Sequence, residues 1–289
     1  MKKYILITVL FFAFAAAAQT KTSTEDSLLL ASGSGVSEEV EATFKSTRIV
    51  NAHSVQTVGR HSLDFRIMHR FGALNSGLYN LFGLDIASMR MGFEYGLSHR
   101  LMVGLGRSTE GKTYDGFLKY RIFIQHRGIK NATPLSVTIL GSTSYKTLKY
   151  GNPRDTFWQG KVDYNLQLLA ARKFNERFSL QLMPTWVHRN LVETIDQKND
   201  IIAIGIGGRV KLNKRVAINF DYFYTSTNQL GKGYTNPLSI GIDIETGGHV
   251  FQLHFTNSRG MIEKQFIGET NGKWSKGDIL FGFNLSRVF

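Results

Sequence analysis

From residue 61 to the C-terminus the chain alternates apolar and polar residues with a period of two, and this pattern constrains its fold more than any other feature. In "SMRMGFEYGLS" the apolar set Met89, Met91, Phe93, Tyr95 and Leu97 is interleaved with Arg90, Gly92, Glu94 and Gly96. Leu63, Phe65 and Ile67 alternate with Asp64, Arg66 and Met68 in the same way, and Leu118, Tyr120 and Ile122 with Lys119, Arg121 and Phe123. A helix repeats every 3.6 residues, so a period of two means strands whose two faces meet different surroundings. The pattern predicts strands at 61–71, 88–97, 100–107, 113–123, 135–145, 158–173, 178–190, 200–212, 216–225, 237–246, 249–257 and 274–289. That is twelve, an even number. The 29 glycines and four prolines suit many turns and few helices.

Two architectures produce such alternation. In a soluble sandwich the apolar faces meet each other; in an outer-membrane barrel they meet lipid, and the polar faces meet a lumen. Connection lengths separate the two, because membrane barrels have short periplasmic turns and longer outside loops. Here long connections such as "GALNSGLYNLFGLD", "KTLKYGNPRDTF" and "SRGMIEKQFIGETNGK" alternate with "SH", "FNER", "NKR" and "GG". Two connections break the rule: the outside loop at 108–112 is short, and the inside connection "IQHRGIKNATP" is long. The expected fold is all-β: an antiparallel transmembrane β-barrel of about 12 strands over residues 61–289, following a cleaved signal peptide.

Residues 1–18, "MKKYILITVLFFAFAAAA", have Lys2 and Lys3, a short apolar run and small residues before a cleavage point, which reads as a secretory signal peptide. Residues 19–60 are expected to be a periplasmic leader or a luminal segment, mobile as far as about residue 46. Within them, 43–59 is either a first short strand or a piece folded into the interior. Cysteine is absent, which excludes a disulfide framework, a thiolate metal site and a lipid anchor. Loss of Lys2 and Lys3 would lower the formal charge from +13 to +11, an excess suited to anionic partners such as lipid headgroups. Export and the lack of a recognisable motif argue against nucleic acid. The expected location is the cell outer membrane. The expected partners are its lipids, the barrel-insertion machinery during biogenesis, and a periplasmic or surface protein if the barrel serves as an anchor.

With both termini in the periplasm, Trp158, Trp186, Tyr222, Tyr224 and Trp274 fall at the outer strand ends, as an interfacial aromatic girdle would. The last stretch, "GDILFGFNLSRVF", alternates Phe281, Phe283 and Leu285 and ends on Phe289, the form of an insertion signal read by barrel-assembly machinery.

"HRFG" (69–72), "FGLD" (82–85), "EYGLSHRLMVGLGRS" (94–108), "YDGFLKY" (114–120) and "GIDIETGGHVFQLHFTNSRGM" (241–261) resemble a family of membrane-bound β-barrel domain proteins of unknown function from Gram-negative bacteria. The resemblance covers about residues 44–289. It implies fold and location, and no catalytic residue or cofactor.

The polar faces supply candidate lumen-lining groups: Asp64, Arg66, Arg90, Glu94, Lys119, Arg121, Lys161, Asp163, Arg209, Lys211, Asp221, Asp243 and Glu245, with Arg70 beside them. Such groups can form a charge-selecting constriction. Because their signs nearly balance, they can equally cross-link a filled, narrow lumen, and that reading is preferred. The glycines of "GLGRS" and of 205–208 lie in strand patterns with no following helix, which removes the phosphate-loop reading. Ser275 and His69, on the last and first predicted strands, form a nucleophile–base pair only if they touch, and no orienting third residue is evident. His249 and His254 lie on opposite faces of one strand, and no acidic group has metal-ligand spacing. No catalytic, cofactor or metal residue is therefore assigned. The apolar loop "GALNSGLYNLFGLD" either folds inward, binds a partner or packs on neighbouring loops.

The leading functional expectation is a monomeric, narrow passive pore or small-solute channel. The alternatives are a non-transporting structural or assembly barrel that anchors a partner and, more weakly, a rim phospholipase-like hydrolase. Three pentapeptides, "LSHRL" (97–101), "FNERF" (174–178) and "LNKRV" (212–216), are expected to mark short reversals at the periplasmic end.

Overall fold

In a computed structural model of the chain, described over residues 37–128, 132–151, 153, 157–246 and 249–289, twelve antiparallel strands close into one barrel. They are β1 (Leu63–Ala73), β2 (Ala87–Gly96), β3 (Leu101–Ser108), β4 (Thr113–Phe123), β5 (Ser136–Lys146), β6 (Val162–Lys173), β7 (Phe178–Arg189), β8 (Asp200–Lys211), β9 (Val216–Thr225), β10 (Leu238–Thr246), β11 (His249–Thr256) and β12 (Leu280–Val288). Each pairs with its chain neighbours, and β12 closes on β1 with Leu285 opposite Ile67. Leu63 and Phe289 exchange backbone hydrogen bonds at 3.1 and 2.8 Å, so both chain ends of the barrel lie on one rim. Closure leaves no strand edge, which is what a sheet needs in a medium without water.

The alternation read from the sequence decides which way each side chain points. In β1, Asp64, Arg66, Met68 and Arg70 are buried inside, and the residues between them are half-exposed on the outer wall. Outward-facing side chains include Phe93, Leu105, Leu118, Ile202, Ile204 and Tyr224, all more than 49% exposed except Leu118 at 49%. Without lipid this apolar wall would be untenable in water.

Three expectations need correction. The predicted strand 274–289 begins only at Leu280, because Trp274–Lys276 forms a 3-10 turn that ends on Gly277 in the left-handed region. Phe123 does not share the lumen face with Lys119. A register irregularity between Arg121 and Phe123 turns its ring outward, where it is 57% exposed. The segment 37–46 is not free: Glu38–Glu39 pairs with His126–Arg127 beneath the barrel, and Phe44 is buried. That pairing also explains the long inside connection, which supplies the second of those strands. The expected signal peptide and the start of the leader lie outside the described residues.

Residues 43–59 run inside the barrel rather than forming a wall strand. Arg48 bridges His53, and Ile49 N–H donates to Ala52 at 2.8 Å, making a tight hairpin with its tip at 49–52. Phe44, Ile49, Ala52 and Val55 pack against Leu169, Met183, Val187, Ile201 and Phe223, which project inward from β6 to β9. Fully burying each large apolar side chain is worth about 1.5–3 kcal/mol, so this contact supplies a substantial part of what holds the hairpin in place.

Candidate functional site

Buried charged groups converge in the lumen, and the hairpin organises them. At its tip, Asp221 Oδ2 accepts three successive backbone N–H groups, from Val50, Asn51 and Ala52, at 2.8–3.0 Å. Consecutive amides aimed at one anionic oxygen form a strong, oriented cradle. Asn51 donates its side-chain amide to Ser239 Oγ at 2.9 Å and accepts from Arg70 Nη2 at 2.7 Å. The carbonyls of Val50 and Ile49 accept from Asn284 and Gln252 at 3.0 and 2.5 Å, so the wall satisfies the turn's backbone from several strands. A buried turn needs this, since orphaned peptide groups are costly.

Toward the terminal rim, Arg66 Nη2 lies 2.7 Å from Asp64 and 2.8 Å from Thr47 Oγ1, while its Nη1 donates to Ser46 at 2.9 Å. Thr47 in turn donates to Glu94. Lys119 Nζ donates to the carbonyls of Gln56 and Thr47 at 2.6 and 3.2 Å, clamping both arms of the hairpin. On the same side of the lumen, Arg90 of β2 grips Asp115 of β4 with two parallel bonds of 2.9 and 2.5 Å, the fork geometry that suits a guanidinium and a carboxylate.

From the opposite rim a second segment enters. The connection between β11 and β12 folds into the lumen through the short helix Glu263–Gly268, whose Phe266 packs on Phe223 at 5.3 Å between ring centres. Its buried Glu263 stands 3.5 Å from Arg48 Nη1 and 3.4 Å from His53 Nε2, so the two inserts meet inside the barrel. Lys264 ties the helix to Asp163 on β6 at 3.4 Å, and Gln265 donates to the Glu110 carbonyl at 3.1 Å. A cavity of about 380 Å³ opens beside Lys45 and Arg66, and another of about 490 Å³ beside Arg259 and Asp278; the inserts occupy the lumen between these mouths.

Of the candidate lumen groups, Asp64, Arg66, Arg90, Glu94, Lys119, Asp163, Arg209, Asp221 and Asp243 are buried inside the barrel. Glu245 sits nearer the terminal rim, bonded to Arg209 at 2.9 Å and Lys45 at 3.2 Å. Arg121 pairs there with Glu39 at 3.3 Å, and Lys211 ends β8. Lys161 is not on a strand but closes the 3-10 turn Gln159–Lys161 just before β6.

Sequence reasoning missed Asp115, Arg48, His53 and Glu263 as lumen groups. Their partners are remote in the chain, but one local signal existed. Met68, Met102, Phe117, Leu140, Leu169, Met183 and Phe223 occupy inward positions and are buried. Apolar groups on a lumen wall require something to cover them.

Tyr224 and Trp186 are exposed on the outer wall, Trp158 lies in the connection before β6, and the Trp274 indole donates to the Leu238 carbonyl at 3.1 Å. Tyr222 is half-exposed on the same face as Tyr224. Phe281, Phe283 and Leu285 face outward on β12, and Phe289 is 63% exposed at the rim.

His69 stacks on Phe283 at 4.9 Å, while Ser275 lies in the turn whose Lys276 carbonyl accepts from Asn75, beyond the end of β1. The pair expected from the hydrolase reading is not brought together. His254 is buried and His249 is not, consistent with opposite faces. Among the described residues no group of three His, Asp or Glu side chains is placed to hold a metal ion, and no helix is long and apolar enough to cross a membrane.

A closed antiparallel barrel with an apolar outer wall and a polar, internally bonded lumen defines a membrane β-barrel protein. The chain belongs to the family described as "Membrane bound beta barrel domain", whose model matches residues 44–289 and so includes the hairpin as well as the wall. No curated protein matches the chain. Among solved structures, the KdgM porin is 9% identical with a TM-score of 0.47, covering 79% of this chain and 99% of its own. The NanC porin is 8% identical with a TM-score of 0.46, covering 78% and 98%. The Acinetobacter baumannii outer membrane protein Omp33 is 8% identical with a TM-score of 0.44, covering 79% and 98%. Likeness at this level transfers no function.

Proposed function

We propose that the protein is an outer-membrane barrel whose narrow small-solute passage is closed, in the conformation described, by its own residues 43–59. The observation that carries this reading is the Asp221 carboxylate holding three backbone amides of the hairpin tip. The hairpin is seated on the wall by side-chain hydrogen bonds and apolar contacts rather than built into the sheet ladder, so its departure would break no strand pairing of the barrel. Its departure would expose Arg66, Arg70 and Lys119 together with Asp64, Glu94 and Asp221, a wall of nearly balanced charge suited to small polar solutes rather than to one sign of ion.

A second reading is favoured by the Glu263 contact with Arg48 and His53, which fills the lumen from both sides. On that reading the barrel transports nothing and serves as an anchor for a periplasmic or surface partner.

Planar-bilayer conductance separates them. The full mature chain is expected to be silent or to open rarely, and a variant lacking 44–58 is expected to conduct steadily. A shortened barrel that folds and still passes no current would remove the channel reading. Steady conductance by the full chain would remove the plug.

A further inference from the structure

The connection between β1 and β2 is exposed and largely apolar, and none of the described residues covers it. Leu78 is 74% exposed, Tyr79 96% and Phe82 50%, with Leu81, Leu84 and Ile86 also exposed beside them. No charged residue occurs from Phe71 to Leu84. The base of the loop packs on the neighbouring turn, while the side chains from Leu78 onward are exposed rather than folded inward.

Gly83 lies in the left-handed region at φ +88°, and a Cβ there would come within 2.5 Å of the Gly72 backbone, so the loop is clamped to the end of β1. Asn75 donates to the Lys276 carbonyl at 3.1 Å and to Asp278 at 2.7 Å, tying it to the neighbouring turn. Leu81 and Phe82 are themselves held at φ +45° and +52°, a conformation bulky side chains rarely adopt. Strain of that kind persists only where the surroundings fix it, and here it keeps apolar side chains pointing away from the protein.

The patch also continues the outer wall. Phe71, two residues before the end of β1, stacks on Phe281 of β12 at 5.8 Å, and Met91 of β2 is 44% exposed on the same lipid-facing side. An apolar surface running from the strand ends into a loop uncharged as far as Leu84, with a tyrosine at its most exposed point and the exposed Asp85 at its end, fits the acyl-chain and headgroup boundary of a bilayer.

We infer that residues 78–84 are a lipid-inserting anchor, lying in the leaflet around the outer rim rather than in water. The inference rests on the barrel being membrane-bound and is independent of whether the lumen conducts.

The absence of cysteine makes the test direct. Leu78→Cys, Tyr79→Cys and Phe82→Cys, each carrying a nitroxide label in full-length protein in phosphatidylcholine vesicles, are compared with Ile195→Cys, whose native side chain is fully exposed in another outer connection. The anchor sites are expected to show a several-fold higher ratio of oxygen to water-soluble nickel-complex accessibility than the Ile195 site. Three separate sites keep the test intact if one label disturbs folding, which strand content by circular dichroism reports. Equal, water-dominated accessibility at all sites would overturn the inference. So would spin–spin broadening that disappears on dilution with unlabelled protein, because it would identify the occupant as a second copy of the chain.

Discussion

The three related pentapeptides acquire a common cause at the level of single atoms. In each, the second residue's side-chain oxygen accepts from the backbone N–H groups of the fourth and fifth: Ser98 from Arg100 and Leu101, Asn175 from Arg177 and Phe178, Asn213 from Arg215 and Val216. The arginine carbonyls then accept from the next strand, at Arg121, Lys211 and Glu245, at 2.7–2.8 Å. The motif therefore builds a side-chain-capped reversal and extends the ladder by one bond. Asn213→Ala is expected to lower barrel stability by about 1 kcal/mol, a typical net value for lost hydrogen bonds, read from urea unfolding in lipid vesicles. At the hairpin tip the stakes are higher. Asp221→Ala leaves three buried amides without an acceptor, at a cost on the order of 3 kcal/mol, and hydrogen exchange at residues 50–52 is expected to accelerate strongly. Asp221→Asn keeps one acceptor oxygen and is expected to show a smaller effect; equal protection in all three proteins would mean that Asp221 does not hold the tip.

The hairpin, as an element, depends on close approach at its exit. A Cβ on Gly96 would stand 2.0 Å from the Gly59 carbonyl oxygen and 2.7 Å from that of Val58, backbone atoms that cannot swing aside. Gly96→Val is expected to displace 57–59, giving faster exchange in the hairpin and more frequent channel openings, while β2 keeps its pairing. Glu263 links this element to the short helix of the outer connection. Its loss leaves Arg48 and His53 buried without their carboxylate, and breaking such a contact typically costs about 3–5 kcal/mol. Glu263→Ala is accordingly expected to loosen both inserts together, seen as raised exchange in 44–58 and in 261–270 alike. A rise confined to 261–270 would show that the two move independently. Elements of the wall were legible in the sequence because strand alternation is local: β4 and β9 have the ranges predicted, Thr113–Phe123 and Val216–Thr225. The start of β12 was not, because the residues of 274–279 also tolerate an extended pattern and only the turn at Gly277 stops it.

On the scale of the whole molecule, loop lengths and strand parity were enough to choose a membrane barrel over a sandwich, since lipid and lumen impose opposite demands on alternate residues. The lumen's contents were not legible in the same way. The bonds that seat the hairpin join residues 19 to 234 positions apart, as with Arg70 to Asn51 and Asn284 to Val50, and no local period records them. The polar wall was read as a list of charges, whereas the structure pairs it with a turn of the same chain. Everything proposed for the lumen depends on the hairpin tip lying against β10, where Asn51 Nδ2 is 2.9 Å from Ser239 Oγ. In a chain with no other cysteine, Asn51→Cys combined with Ser239→Cys and treated with a short thiol-to-thiol linker in reconstituted vesicles tests it most directly. Efficient intramolecular cross-linking of the folded barrel is expected, with little reaction between Asn51→Cys and an outward control, Ile240→Cys. Failure of the Asn51–Ser239 pair to cross-link while both thiols remain reactive in the unfolded chain would contradict it.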